Sequence, residues 1–140
     1  MVRLTRKLGK SVFGRRVSVS VIPVRVRKVL VTGDRNWQSE NVIMRELRKM
    51  KPDIVVEGGA KGADSLTKKA ANKLGIEVRE YQAEWDKYGR AAGPIRNQEM
   101  LREKPDLVLA FHSNIEKSKG TKNMITLARR QGVPVKLVED

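Results

Sequence analysis

The chain has 140 residues, no cysteine, one histidine and a formal net charge of +14. A chain of this length forms one domain with a buried core, and the absence of cysteine excludes disulfides, thiolate nucleophiles and cysteine zinc sites. One histidine excludes a multi-histidine metal centre, and no apolar run approaches the about 20 residues that span a bilayer, so we expect a soluble protein without a metal.

The positive charge is concentrated in residues 1–28, which contain nine Lys or Arg and no acidic residue. Leu4, Leu8 and Val12 recur at four-residue spacing and predict a basic amphipathic helix. Apolar and polar residues alternate over residues 17–26, which predicts an edge strand. Three interpretations of this arm stay open: a solvated tail, a contact with nucleic acid or an anionic surface, and an organellar transit peptide.

From residue 28 onward, short β-branched runs alternate with amphipathic helices. The predicted strands are 29–32, 54–56, 76–81, 106–111 and 134–138, and the helices begin near Ser39, Ser65, Gly93 and Gly120. The predicted inward side chains include Ile43, Met44, Leu47 and Met50 of the first helix, and Ile95, Met100 and Leu101 of the third. The pattern predicts an α/β fold, a three-layer, doubly wound parallel sheet of about five strands.

The predicted organisation is a basic arm over residues 1–27, which would add an edge strand, and an α/β domain over residues 28–140. In a doubly wound sheet, ligands bind beyond the carboxyl ends of the strands, where the strand order reverses. The loops after Thr32, Val56, Tyr81 and Phe111 should therefore meet at one edge.

The most informative of these loops is the turn of residues 57–64, Glu-Gly-Gly-Ala-Lys-Gly-Ala-Asp, between a buried strand and a helix. Glycines allow a ligand to approach main-chain amides closely, and the free amides of a helix opening favour an anion. The turn therefore predicts a phosphate site. A tight connection that needs glycine only for its own path is the structural alternative.

Four motifs follow one another along the chain: Val-Thr-Gly-Asp-Arg-Asn-Trp (31–37), Gly-Gly-Ala-Lys-Gly-Ala-Asp (58–64), Ala-Gly-Pro-Ile-Arg-Asn-Gln-Glu-Met (92–100) and Lys-Gly-Thr-Lys-Asn-Met (119–124). In this order and spacing they resemble the YspA-like branch of the SLOG superfamily, which groups the DprA/Smf DNA-processing proteins with the LOG phosphoribohydrolases. The resemblance implies a Rossmann-like fold whose loops bind a nucleotide or a nucleotide-derived ligand.

The resemblance also implies which residues bind. They are Gly33, Asp34, Arg35, Trp37, Gly58, Gly59, Lys61, Gly62, Asp64, Trp85, Arg96, Asn97, Lys119, Gly120 and Thr121. Arg96 ranks first among the side chains. Asp64 would hold a ribose hydroxyl or cap a helix, and each tryptophan would stack on a base or close a sheet edge.

The chain departs from the LOG enzymes at Met124, which stands where those enzymes have a glutamate. Phosphoribohydrolase activity of that type is therefore not expected. Glu57, Glu99 and His112 remain as candidate catalytic groups, although each has an ordinary structural alternative, and no nucleophile, base and orienting group can be assembled from spacing.

Three functions stay open at this stage. We favour binding or sensing of a nucleotide-derived small molecule, ahead of single-stranded nucleic-acid binding in the manner of DprA/Smf and of an enzyme acting at an N-glycosidic bond. The sequence identifies no particular cofactor beyond a nucleotide-derived ligand. We expect a cytoplasmic protein, with nucleic acid as a partner of the arm and a homo-oligomer as open alternatives.

Overall fold

The computed structural model describes residues 17–19 and 25–140. The strands are β1 (Val17–Val19), β2 (Lys28–Gly33), β3 (Ile54–Glu57), β4 (Glu77–Glu80), β5 (Leu107–Phe111) and β6 (Val135–Val138). The helices are α1 (Glu40–Met50), α2 (Ala63–Lys73), α3 (Trp85–Tyr88), α4 (Ala92–Leu101) and α5 (Gly120–Arg130), with 3-10 turns at Gly89–Ala91 and Ile115–Lys117.

The strands form one sheet in the order β1-β6-β5-β2-β3-β4. Strands β2 to β6 are parallel, which confirms the Rossmann-like prediction. Strand β1 pairs antiparallel with β6, with Val17 opposite Val138, so the predicted edge strand is present over residues 17–19. The helix predicted around Leu8 lies outside the described residues.

Each face of the sheet has its own core because successive residues of a strand point to opposite faces. Val29 and Val31 of β2 pack with the buried side of α1 and α2, whereas Leu30 packs with α4 and α5. As predicted, Ile43 and Leu47 are buried in the first core, with Met44 and Met50 packed against it. Met100 and Leu101 are buried in the second core.

Three local predictions were wrong. Ile95 is partly exposed and joins neither core, although it was expected to face inward. The segment predicted as a loop over residues 82–92 contains α3 and a 3-10 turn. Helix α2 begins two residues earlier than predicted, directly after Gly62, whose φ of +74° is open to glycine but strained for other residues.

The residues just before the predicted boundary at residue 27 pack on the domain. Val26 is buried in the first core, and Arg25 donates to the carbonyl of Lys51 at the end of α1 over 2.8 Å. The described part of the chain therefore packs on the domain from at least Arg25 onward. No helix among the described residues is both long enough and apolar enough to cross a bilayer.

The strand order reverses beside β2. Helices α1 and α2 carry the chain from β2 to β3 and β4, after which the chain crosses back to β5 on the other side of β2. The carboxyl ends of β2 and β5 are therefore the switch point of the sheet. There the amide of Asp34 donates to the carbonyl of Phe111 over 2.8 Å.

The loop after β2 also lies directly against the turn after β3. The amide of Ala63 donates to the carbonyl of Asp34 over 3.0 Å. A Cβ atom on Gly62 would overlap the backbone carbonyl of Arg35, so glycine is needed for this close approach as well as for its φ. The two loops form one packed unit at the carboxyl edge.

Gly62→Ala should separate this steric requirement from backbone strain when it is compared with Gly132→Ala. Both glycines have a φ of +74°, but a Cβ on Gly132 would meet nothing within 4 Å. We expect Gly132→Ala to lower the free energy of unfolding by about 1 kcal/mol. Gly62→Ala should lower it by about 1–3 kcal/mol more, because the added Cβ also clashes with the loop after β2. Urea denaturation measures both; equal losses would contradict the packed-loop description.

Candidate functional site

Arg96, one turn into α4, reaches across to the turn after β3. Its Nη1 donates to the carbonyl oxygen of Gly58 over 2.6 Å and lies 3.5 Å from the carbonyl of Tyr81 at the end of β4. A Cβ on Gly58 would come within 2.6 Å of the same nitrogen, so glycine is required for the guanidinium to lie on this turn. One charged side chain thus joins the loops that follow β3 and β4.

Asn97 extends this connection to the start of α5. Its Oδ1 accepts from Arg96 Nε over 3.1 Å, and its Nδ2 donates to Asn123 Oδ1 over 3.0 Å and contacts the Gly120 carbonyl at 3.4 Å. Asn97 is buried. We call this pair the Arg96–Asn97 bridge; it links the turn after β3 to the opening of α5.

Asp64 lies beneath the same turn. Its Oδ2 accepts from the amide of Ala60 over 3.2 Å, while its buried Oδ1 has no hydrogen-bond partner among the described residues. Burial raises the pKa of Asp64 to about 6, against the opposing effects of the Ala60 amide and the Arg96 charge. The N-cap role considered for Asp64 is not observed, because Gly62 occupies the N-cap and Asp64 is the second residue of α2.

A second buried carboxyl, Glu57, supports the turn from the end of β3. Its side chain has no exposed surface, and its Oε1 accepts from the amide of Gly59 over 2.5 Å. Burial, and the neighbouring carboxyl of Glu80 on β4, raise the pKa of Glu57 to about 8. Glu57 is therefore neutral at pH 7 and holds the turn from inside the protein.

The outer rim of this region offers unoccupied donors. Among the described residues, the amides of Gly62 and Asp64 in the α2 opening and of Gly120 and Lys122 in the α5 opening have no backbone or side-chain acceptor. The remaining donors are largely used: Ser118 Oγ accepts from the amide of Thr121 over 3.0 Å. Gly120 and Lys122 are exposed, so the α5 opening reaches solvent, whereas Gly62 is only partly exposed and Asp64 is buried in the α2 opening.

Three basic side chains lie on the same loops. Arg35, Lys61 and Lys119 are exposed, and none forms an ion pair or a side-chain hydrogen bond within the part of the chain that the structure describes. Their charges are not neutralised locally. A helix opening with free amides and nearby cations favours an anion.

The switch point itself contains a small polar cleft of about 330 Å³. It is lined by Asp34, Asn36, Trp37, Gln38, Ser39, Ser113 and Asp140. His112 is buried beside it; its Nδ1 accepts from the amide of Asn114 over 2.9 Å, and its Nε2 lies 3.9 Å from Asp34 Oδ2. His112 therefore braces its own loop and faces the carboxylate of the loop after β2.

The two tryptophans have different environments. Trp37 is buried, packs 5.5 Å from the Phe111 ring centroid and donates from Nε1 to the carbonyl of Ser39 over 2.9 Å. Of its two predicted roles, Trp37 takes the structural one. Trp85 is 59 % exposed, and one edge of its ring lies 3.4 Å from where a Cβ on Gly93 would be, in the first turn of α4.

The other predicted residues are placed as follows. Gly33 packs so closely on Phe111 and Ala63 that it has no room for a side chain, and Thr121 is buried. Glu99 is partly exposed on α4. Met124 is fully buried in the second core. Within the four motifs, residues such as Gly33, Thr121 and Met124 are therefore part of the packed structure, whereas others are exposed.

Sequence reasoning missed three residues of this region. Asn123 accepts from Asn97, and Ser118 accepts from the Thr121 amide in the first turn of α5. Glu80 lies against Gly59 and accepts from Lys68 over 3.2 Å. Asn123 follows Gly120 by three residues, a spacing that would have placed it in the same helical turn. Glu80 had no such signal, because only the pairing of β3 with β4 brings it opposite Glu57.

Comparison with known proteins agrees with this arrangement. A family model described as the YspA, cpYpsA-related SLOG family matches residues 27–88. The chain is also 34% identical over 120 residues to the Gene 61 protein of Mycobacterium phage D29, an alignment that covers 79% of this chain and 94% of the phage protein. The chain belongs to the SLOG family.

Membership in the SLOG family indicates nucleotide-related ligand binding in general. The family match ends at Tyr88, so it contains the turn after β3 but not the Arg96–Asn97 bridge or the opening of α5. Within the described residues of this SLOG protein, no group of three or more His, Asp or Glu side chains is arranged to hold a metal ion.

Glu57→Gln should reduce the pH dependence of stability. Folded Glu57, with a pKa of about 8, holds a proton that the unfolded chain releases near its ordinary value of 4.5, so its contribution to stability is lost as pH rises from about 5 to 8. The slope is up to about 1.4 kcal/mol per pH unit. Glutamine keeps the acceptor for Gly59 without titrating.

Urea denaturation of both proteins at pH 5, 6, 7 and 8 measures this effect. The difference in unfolding free energy should shift steadily in favour of Glu57→Gln as pH rises. Asp64 titrates in both proteins and so cancels in the difference. Parallel curves would show that Glu57 is ionised in the folded protein at neutral pH.

Proposed function

We propose that this protein binds or senses a nucleotide or a nucleotide-derived ligand at the carboxyl edge of its sheet. The observation that carries the proposal is the Arg96–Asn97 bridge, which brings the turn after β3 and the opening of α5 together. The anionic group of the ligand would lie on the outer side of this bridge, at the free amides of Gly120 and Lys122.

The electrostatics of the rim support a phosphate in this position. Lys61 and Lys119 are exposed and unpaired within the described structure, and the α5 opening adds the positive end of the helix dipole. Arg96 already uses Nη1 on Gly58 and Nε on Asn97, which fixes its charge beside the turn. A fixed cation and main-chain amides need little reorganisation to bind an anion.

The exposed face of Trp85 supports a ligand that carries a base. Its ring lies on the first turn of α4, one turn before Arg96, and more than half of it is exposed. An indole face in water is a stacking surface for a planar base. A phosphate at the α5 opening and a base on Trp85 would together give selectivity for nucleotides over simple phosphates.

Binding, rather than cleavage of an N-glycosidic bond, is what the acidic residues support. Glu57 has no exposed surface and is engaged with Gly59, and Met124 occupies the core position on α5. Glu99 is partly exposed, but no described residue donates a hydrogen bond to its carboxylate. Native mass spectrometry of the purified protein, followed by calorimetric titration with nucleoside monophosphates, tests the proposal directly.

Lys61→Ala and Lys119→Ala should each weaken the binding of a nucleoside monophosphate without changing the melting temperature. Loss of a charged hydrogen bond to phosphate costs about 1.5–3 kcal/mol, and less where the contact is through solvent. Arg129→Ala, at the opposite end of α5, removes the same charge and serves as the control. Isothermal titration calorimetry measures all three; equal affinities would place the phosphate elsewhere.

Trp85→Ala should weaken nucleotides selectively. Loss of one stacked base costs about 1–3 kcal/mol, whereas a ligand without a base has nothing to lose. Titrations with a nucleoside monophosphate and with ribose 5-phosphate separate these cases. Equal weakening of both ligands would mean that Trp85 shapes the site through packing rather than through stacking.

A further inference from the structure

A basic groove lies between α1 and α2, outside the carboxyl-edge site. Its volume is about 430 Å³, and it is lined by Glu40, Asn41, Met44, Arg45, Arg48, Lys49 and Lys73. The α1 members recur at helical spacing and form one stripe along the outer side of the helix. Neither the fold nor the proposed nucleotide site accounts for this concentration of positive charge.

The acidic residues near the groove do not neutralise it. Glu40 binds Lys73 over 2.9 Å and lies 3.8 Å from Lys69, so one carboxylate serves two cations. Glu46 lies 3.8 Å from Lys49 but binds Lys136 more closely, over 2.6 Å.

The two arginines of the stripe are the least compensated groups. Arg45 and Arg48 are exposed, and neither forms an ion pair with any described residue. Clustered like charges repel one another and lower the stability of the folded state unless a counter-charge binds. A guanidinium also pairs with phosphate through two parallel hydrogen bonds, which an ammonium cannot do.

We propose that the groove between α1 and α2 binds the phosphate backbone of a nucleic-acid strand without regard to sequence. From Asn41 to Lys49 the stripe extends about 12 Å along α1. Phosphates of one strand are spaced about 3.4 Å apart along a duplex axis, so the stripe faces roughly three or four of them. Cations of α1 and Lys73 of α2 line the groove, so positive charge is present on both of its helices, and a row of phosphates can lie along the cations of α1.

The test compares two double variants of the full chain, Arg45→Ala/Arg48→Ala and Arg129→Ala/Arg130→Ala. Both remove two exposed positive charges from a helix and leave the basic arm intact. Fluorescence anisotropy with a labelled 20-base single strand and a 20-base-pair duplex, at several salt concentrations, gives the affinity and its salt dependence.

We expect the groove variant to bind the better of the two nucleic acids at least about tenfold more weakly at 0.1 M salt than the control variant. The slope of log affinity against log salt should become shallower by about 1.4–1.8, for two lost phosphate contacts. Affinity for a nucleoside monophosphate should stay unchanged in the groove variant, which separates this proposal from the nucleotide site.

Two results would overturn the proposal. If both double variants lose the same affinity for nucleic acid, binding depends on the total charge of the protein or on the arm rather than on the groove. The second result is obtained with labelled polyglutamate of matched charge. If the groove variant weakens the binding of polyglutamate as much as that of the oligonucleotide, the groove binds acidic polypeptides as well and is not a nucleic-acid surface.

Discussion

The hydrogen bond from Arg96 Nη1 to the Gly58 carbonyl is the contact on which the carboxyl edge depends, because together with Asn97 it joins three parts of the chain. Gly58 directly follows β3, Arg96 lies on α4, and Asn97 extends the connection to Gly120 and Asn123 of α5. A charged hydrogen bond contributes about 1.5–3 kcal/mol. Other contacts hold each segment locally, such as the bond from the Ala63 amide to Asp34, but the Arg96–Asn97 bridge joins the turn after β3 to the opening of α5.

The position of Arg96 makes the two buried carboxyls nearby differ from each other. Asp64 lies under the turn, where its charge is favoured by Arg96 and the Ala60 amide but opposed by burial, and its pKa settles at about 6. Glu57 has no such cation, and its pKa rises to about 8. The turn is therefore supported by one carboxyl that is largely ionised at neutral pH and another that is protonated.

The sequence predicted the fold well because its signals are local. Alternating β-branched runs and glycine turns identify the parallel strands, and Ser39 caps α1 by accepting from the Val42 amide over 3.3 Å. The site was harder. Arg96 was identified through the resemblance. Its partner is a main-chain carbonyl, which every residue has, so the sequence could not indicate this contact. The sequence does not distinguish Trp37 from Trp85. In the fold, Trp37 is buried against Phe111, whereas the path of α3 leaves Trp85 exposed.

The antiparallel pairing of β1 has a consequence for the basic arm. Val17 lies opposite Val138, at the carboxyl end of β6, so the chain enters β1 from the edge of the sheet that carries the candidate site. Residues 1–16 contain six Lys or Arg and no acid, and they are covalently linked to Val17, which lies at that edge, four strands or about 19 Å from β3. Such a tether raises the effective concentration of cationic groups around any ligand or strand that arrives at this edge.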